Sequence, residues 1–300
     1  MCVGLVMPHE RSEVSARGAA DVDATAAPPD SAGDDGHMCG ERARLLYETG
    51  NVALQAKAKQ WWRCAAISGD VEAQYSLGVI SYEDANGPSV NEAEYWWRAA
   101  ASVGHVAAQH NLGVLLDLVG TKSAASEAQQ WWRAAAEAGH AGAQYNLGVE
   151  CQDRGALRAA ERWWRSAAEA GHVDAQYQLG VYHHVRGEHD TAEQWWCTAA
   201  RAGHLDAQYN VGTYHYQRGD LETAKYWYRV AAEAGQPEAS RTLKLLMRRQ
   251  GDATSPGHAK HPKRAVGGSD HADSHCQVMD LRSRHGDKSI RKADGTQEIN

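Results

Sequence analysis

Residues 143–171, AQYNLGVECQDRGALRAAERWWRSAAEAG, decide the fold. Their Trp163-Trp164 pair recurs as Trp61-Trp62, Trp96-Trp97, Trp131-Trp132 and Trp195-Trp196, with Trp227-Tyr228 as a sixth copy, at spacings of 35, 35, 32, 32 and 32 residues. All eleven tryptophans of the chain lie in this register, and there is no phenylalanine. A fixed period of 20–50 residues marks a stacked array of like units rather than independent globules.

Each first Trp anchors further positions. Alanine stands three residues before it (Ala58, Ala93, Ala128, Ala160, Ala192, Ala224), and two alanines follow four and five residues later, from Ala65-Ala66 to Ala231-Ala232. That spacing is one face of a helix, here named B. Glycine follows eight residues after the Trp in all six copies (Gly69, Gly104, Gly139, Gly171, Gly203, Gly235), where a left-handed residue stops a helix without a Cβ penalty. A second helix, A, then begins at Ala73-Gln74, Ala108-Gln109, Ala143-Gln144, Ala175-Gln176 and Ala207-Gln208, and a glycine ends it at Gly155, Gly187 and Gly219. The three extra residues of the two 35-residue periods are expected in the A-to-B turn, at Asn86 to Asn91 and Thr121 to Ser126, where a length change costs least.

Glycine also stands inside helix A, at Gly78, Gly113, Gly148, Gly180 and Gly212. It costs about 1 kcal/mol there against alanine. Close approach of a bulky ring offsets that cost, since burying one Trp yields roughly 4–6 kcal/mol gross at about 25 cal/mol/Å². The glycines are therefore expected to be sockets for the tryptophans. Glu41 to Thr49 aligns only with the end of a helix A and reads as a degenerate cap, while Ala239 to Lys244, continuing into Arg248-Arg249, replaces the Gln-Tyr-Asn and glycine positions, as a terminal unit with one solvated face requires.

These units resemble tetratricopeptide repeats, in particular the Sel-like repeat (SLR) branch. Residues 143–171 carry the signature: Ala143-Gln144, Leu147-Gly148, Ala160, Trp163-Trp164-Arg165, Ala167-Ala168 and Gly171. Periodicity and resemblance together predict an all-α right-handed α-solenoid of about six helix-turn-helix repeats plus a C-terminal capping helix. It would span 41–250, between a disordered acidic segment, 1–40, and a disordered tail, 251–300, neither of which offers enough apolar surface to offset ordering entropy.

The resemblance implies a protein-protein interaction scaffold whose A helices line a concave groove. In the family the residue just before Leu-Gly often grips a peptide backbone. Here that position reads Ser76, Asn111, Asn146, Gln178 and Asn210. Amides carry both donors and acceptors and satisfy an extended chain regardless of its sequence. At roughly 10 Å between helices, five rungs span about 40 Å, or about a dozen extended residues. The same amides can instead cap turns or join neighbouring A helices. Tyr75, Tyr145, Tyr177 and Tyr209, one place earlier, read as packing residues. Tyr82, Gln152, His184 and Tyr216, with Asp117, share a further register whose varied chemistry suits specificity. On the groove reading, replacing Asn111, Asn146 and Asn210 together by alanine leaves the helices intact and abolishes capture.

Other features point away from chemistry. His105, His140, His172 and His204 directly follow the stop glycine, so repeat geometry explains them better than catalysis. Cys151, His183 and His215 occupy equivalent places in successive A helices and have the chemistry of a soft metal site, but the apolar equivalent Leu116 sets this position at the core's border, so no metal site is expected. The tail holds His258, His261, His271, His275 and Cys276 without a folded frame. Arg63, Arg98, Arg133, Arg165 and Arg229 form a ladder whose heads are expected to meet nearby acids, Glu94 with Arg98 and Glu161 with Arg165.

No nucleophile elbow, zinc-protease, phosphate-loop or dinucleotide motif occurs in the sequence. The expectation is no enzyme and no cofactor. Some cysteine-rich SLR proteins are linked to penicillin binding or hydrolysis, but Cys64, Cys151 and Cys197 do not pair within repeats, so a hydrolase stands as the alternative, with a self-assembling structural protein as another. A net charge of −7, from 31 Lys and Arg against 38 Asp and Glu, lacks the basic footprint of a nucleic-acid binder. No apolar run is long enough to span a membrane. The six scattered cysteines fit a reducing, cytoplasmic setting, and the expected partner is another protein or a peptide segment.

Overall fold

The computed structural model describes residues 36–49, 51–83 and 89–253; of the segments read as disordered, 1–35 and 254–300 lie outside the described residues, while 36–40 and 251–253 fall within helices. The described residues form thirteen helices and no strand: α1 (Gly36–Glu48), α2 (Val52–Ile67), α3 (Val71–Glu83), α4 (Val90–Ser102), α5 (Val106–Val119), α6 (Lys122–Glu137), α7 (Ala141–Asp153), α8 (Leu157–Glu169), α9 (Val173–Val185), α10 (His189–Arg201), α11 (Leu205–Gln217), α12 (Leu221–Glu233) and α13 (Pro237–Ala253). Odd-numbered helices through α11 are the A helices and even-numbered ones the B helices, with α13 following the sixth pair. This is an all-α solenoid. Two compact units divide between Glu150 and Cys151. In the first, α1 packs on α2, α3 on α4 and α5 on α6; in the second, α9 packs on α10, α11 on α12 and α12 on α13. Among the described residues no helix is long and apolar enough to cross a membrane.

The repeat positions explain this packing. Ala58, Ala93, Ala128, Ala160, Ala192 and Ala224 are all 0% exposed, so at each of these places a methyl is all that separates neighbouring helices. In four repeats the second aromatic of the pair fills the socket of its own helix A. A Cβ built on Gly78 would fall within the Trp97 indole, one on Gly113 within Trp132, one on Gly180 within Trp196, and one on Gly212 would meet the Tyr228 ring at 2.9 Å. The first aromatic reaches back instead: Trp96 packs on the cluster of Trp61 and Trp62, Trp131 on that of Trp97, and Trp227 on that of Trp196. One Trp thus closes its own hairpin and the other joins it to the one before.

The stop glycines take the left-handed conformation, with φ from 90° at Gly139 to 97° at Gly235. Two expectations need correction. The segment read as a degenerate cap is a full helix A, since α1 starts at Gly36, has 13 residues and buries Cys39, Ala43 and Leu46. The extra residues at Thr121 to Ser126 lengthen a helix rather than a turn. Gly120 ends α5 in a left-handed C-cap, the Thr121 hydroxyl accepts from the Ala124 N–H at 3.2 Å, and α6 begins at Lys122 with 16 residues. Alanine-rich sequence directly after a cap favours continuing the helix. Cys197, buried on α10, is disulfide-bonded.

Candidate functional site

The A helices begin on a repeated cap. Nδ1 of His105, His140, His172 and His204 accepts from the N–H of Ala108, Ala143, Ala175 and Ala207 at 3.1, 3.2, 3.3 and 3.2 Å. Asp70 and Gln236 do the same for Ala73 and Ala239. The adjoining glutamine ties helix A to the previous helix B: Gln109, Gln144, Gln176 and Gln208 donate to the carbonyls of Ala101, Ala136, Ala168 and Ala200 at 3.1–3.2 Å. Each of these carbonyls also accepts from the N–H of the stop glycine, so the glutamine adds a second bond at the end of helix B, where carbonyls lack the regular i+4 partner.

A ring that accepts at Nδ1 must be neutral to do so, and burial pushes the His172 imidazole below the usual histidine range, against the opposing charge of Asp174. A lowered folded-state pKa stabilises the array fully above the ordinary value of about 6.5 and is lost as pH falls through the lowered one. The melting temperature should therefore drop between pH 7 and pH 5. In His172→Asn, which keeps a capping oxygen without titrating, the drop should be shallower. Equal pH profiles for both proteins would exclude this cap as a contributor.

The amide ladder lies differently from the groove reading. Asn111 is 0% exposed, and Asn146 and Ser76 are also buried. Asn111 bonds the Tyr75 hydroxyl, and its Oδ1 lies 3.2 Å from His110 Nδ1. Nδ2 of Asn146 lies 3.4 Å from His110 Nε2. Since Asn146 Nδ2 can only donate, His110 accepts at Nε2 and donates at Nδ1, so a directional relay runs from Asn146 through His110 and Asn111 to Tyr75. Burial pushes the Tyr75 hydroxyl up to about 12, with the Glu72 charge adding to it. In the second unit Asn210 bonds Tyr177 in the same way. The aromatic one place before each amide stacks on the next capping histidine: Tyr75 on His105 at 4.6 Å, His110 on His140 at 4.4 Å, Tyr177 on His204 at 4.3 Å. These amides join neighbouring A helices. Ser76, Asn111 and Asn146 thus lie buried within the array rather than on an open surface.

Gln178 and Asn210 remain half-buried, as do Tyr82 and Tyr216, while Asp117, Gln152 and His184 are exposed. Tyr82 leans on Trp97, and His184 on Trp196. The candidate metal ligands are not free: His183 Nδ1 meets Glu188 at 2.6 Å, and His215 lies between Glu193 at 3.1 Å and Asp220 at 3.4 Å. Cys151 is half-buried. Of the arginine ladder, Arg98 bonds Glu94 at 2.8 Å and also Glu127, Arg165 bonds Glu161 at 2.6 Å, and Arg63 bonds Glu92 of the next repeat at 2.7 Å.

Two adjoining hollows open in the second unit. The first, of about 340 Å³, brings Gln152 and Gln178 together over Leu157, Trp164, Val181 and Val185. The second, of about 480 Å³, is lined by Arg158, Glu161, Arg162, Tyr182, His183, Arg186 and Glu188. Arg158, Tyr182 and Arg186 belong to both. Leu157 and Val185 at the rim are 50% and 80% exposed. Sequence reasoning singled out Gln152 and Gln178 but not the arginines, which lie outside the repeat's regular ladder.

The family model for the Sel1 repeat matches six times in unbroken succession, at residues 40–70, 71–105, 106–140, 141–172, 173–204 and 205–236, more than half of the chain. The chain belongs to the Sel1 repeat family. The first match takes in α1 from residue 40 onward. Among solved structures, this Sel1 repeat protein is similar to a protective antigen of uropathogenic Escherichia coli strains that displays an SLR fold, with a TM-score of 0.65, 27% identity, and coverage of 76% of this chain and 51% of that one. The chain thus spans about half the length of that antigen. It is also similar to a Sel1 repeat protein from Oxalobacter formigenes, with a TM-score of 0.56, 25% identity, and coverage of 65% of this chain and 84% of that one. No curated protein matches the sequence. Sel1 repeat proteins are in general protein-protein interaction scaffolds, and the fold is typically non-catalytic.

Proposed function

We propose that this chain is a non-catalytic adaptor that captures an extended segment of a partner protein, using surface positions of its A helices rather than the enclosed amides. The observation that carries the reading is the apolar hollow under Gln152 and Gln178, rimmed by Leu157 and Val185. Apolar side chains exposed around a concavity are costly to leave in water and mark a surface that is covered when working. A volume of about 340 Å³ admits one or two apolar side chains of a segment whose backbone the two glutamine amides can meet. His184 and Tyr216, exposed and half-buried in the same register, supply further contacts along the second unit.

Affinity capture from lysate of the source cells, with the full chain and Val185→Glu in parallel, tests this. Val185 is 80% exposed, so the variant keeps its fold while placing a charge on the rim. A protein retained by the native chain and lost by the variant supports the reading. Equal recovery by both, or no protein above the level of an unrelated helical repeat, removes it.

A further inference from the structure

The second hollow is built from a motif that occurs twice. Tyr182-His183-x-x-Arg186-Gly187-Glu188 in the fifth repeat matches Tyr214-His215-x-x-Arg218-Gly219-Asp220 in the sixth, 32 residues later. In both, the arginine lies over the tyrosine ring, at 5.5 and 5.3 Å, and the histidine bonds the acid that follows the glycine. They differ in what faces them from the preceding B helix. In the sixth repeat that residue is Asp190. It accepts the Tyr214 hydroxyl at 2.8 Å and lies 3.6 Å from Arg218, so an internal carboxylate occupies the place between tyrosine and arginine. In the fifth repeat the equivalent of Asp190 is Arg158, and the equivalent of Gln194 is Arg162. The negative charge is replaced by two positive ones, and a hollow of about 480 Å³ remains.

The charges there do not cancel from within. Glu188 is held by His183 at 2.6 Å and by Arg186 at 2.9 Å, and Glu161 by Arg165 at 2.6 Å and by the Tyr182 hydroxyl. Among the described residues neither Arg158 nor Arg162 has an ion-pair or hydrogen-bond partner. They stand one turn apart at the start of α8, where the helix dipole also disfavours cations. Alone among the six B helices, α8 has neither a side-chain cap nor an acid in its first turn. A second, independent feature points into the same hollow. His183 is 6% exposed, and its buried Nε2 has no hydrogen-bond partner while Nδ1 is held by Glu188. The equivalent atom of the sixth repeat, His215 Nε2, lies 3.1 Å from Glu193, whereas His183 Nε2 has no carboxylate that close, and a ligand group completes it.

We propose that Arg158, Arg162, Arg186 and His183 form a binding site for a phosphomonoester group. Two uncompensated guanidiniums match the charge of about −1.5 to −2 that such a group carries near pH 7, and their forked donors match its oxygens. His183 Nε2 bonds the same group, donating to an oxygen as imidazolium or accepting from the P–OH of the monoanion. The site adjoins the apolar hollow through Arg158, Tyr182 and Arg186, so a phosphate and an apolar group on one ligand are accommodated together. The inference goes beyond capture of a partner segment and does not depend on it.

Calorimetric titration of the full chain with phenyl phosphate tests the site without any partner. Saturable one-site binding is expected, weakening with salt and falling about tenfold or more in Arg158→Gln/Arg162→Gln. Arg218→Gln, in the sixth-repeat copy where Asp190 already faces the arginine, should leave it unchanged. Both arginines of the double variant are exposed, so circular dichroism should report an unaltered fold. No saturable binding up to about 10 mM, the same affinity in the double variant, or equal affinity for the monoanion benzenesulfonate would overturn the proposal. Given binding, a phosphoserine pentapeptide with apolar flanks is compared with free phosphoserine: tighter peptide binding assigns the site to a phosphorylated protein, equal affinity to small phosphate esters. A positive titration with a failed lysate capture would separate this site from the adaptor function.

Discussion

Gly113→Ala should destabilise the array by about 3–5 kcal/mol, although alanine is the better helix former. Propensity alone argues the other way, since glycine inside a helix costs about 1 kcal/mol against alanine. Packing decides the sign. A Cβ on Gly113 would fall on Cδ1 and Nε1 of Trp132, atoms near the root of the ring rather than at the tip of a flexible chain. A small rotation does not clear them. Ordinary overpacking costs about 1–3 kcal/mol when neighbours can shift. Here the neighbours are helix backbones held apart only by alanines such as Ala128 and Ala135, both 0% exposed, so the ring must leave its seat. The loss then approaches that of deleting a large buried aromatic, about 3–5 kcal/mol. Gly104→Ala supplies the contrast. Its Cβ would meet nothing within 4 Å, and the cost is only that of a left-handed residue, about 1–2 kcal/mol. Urea denaturation of the two variants separates these cases, and similar midpoints would show that the glycine-tryptophan socket is not what holds a hairpin closed.

The sockets were legible because a repeat states the same contact several times. Glycine at 78, 113, 180 and 212 and the aromatic that follows in each helix B recur in step, and one physical cause accounts for both. The stop glycines and the i, i+4 pairs of Glu94 with Arg98 and Glu161 with Arg165 were legible for the same reason, being local in the chain. What spacing could not reveal is which face a polar residue turns to. Asn111 and Gln152 both fall on the helix A period, yet one is enclosed and the other open, because the enclosing groups belong to the previous repeat's Tyr75 and to the neighbouring His110. The arginines of the hollow were hidden by the opposite effect. Arg158 and Arg162 break the period, and their meaning emerges only against Asp190, the residue that takes the same place one repeat later.

Replacing Asn111, Asn146 and Asn210 together by alanine should cost about 3 kcal/mol or more in stability, whatever it does to partner capture. Each change leaves hydrogen-bonding groups in or near the interior without partners, at about 1–3 kcal/mol per group. Asn111→Ala removes a partner of the Tyr75 hydroxyl and of His110 Nδ1–H, and Asn146→Ala removes one of His110 Nε2. The two share His110, so their costs do not add simply; once the imidazole has lost one neighbour it can turn toward another, and the pair should lose less than the sum of the singles. Asn210, only half-buried against Tyr177, contributes less because water can replace it. Thermal melts of the three single variants and the triple should rank Asn111 first and Asn210 last. A triple variant that melts with the native chain would return the amides to the surface role that their regular spacing first suggests. A marked loss places the ladder within the spine of the array, joining one helix A to the next, and leaves recognition to the irregular positions beside it.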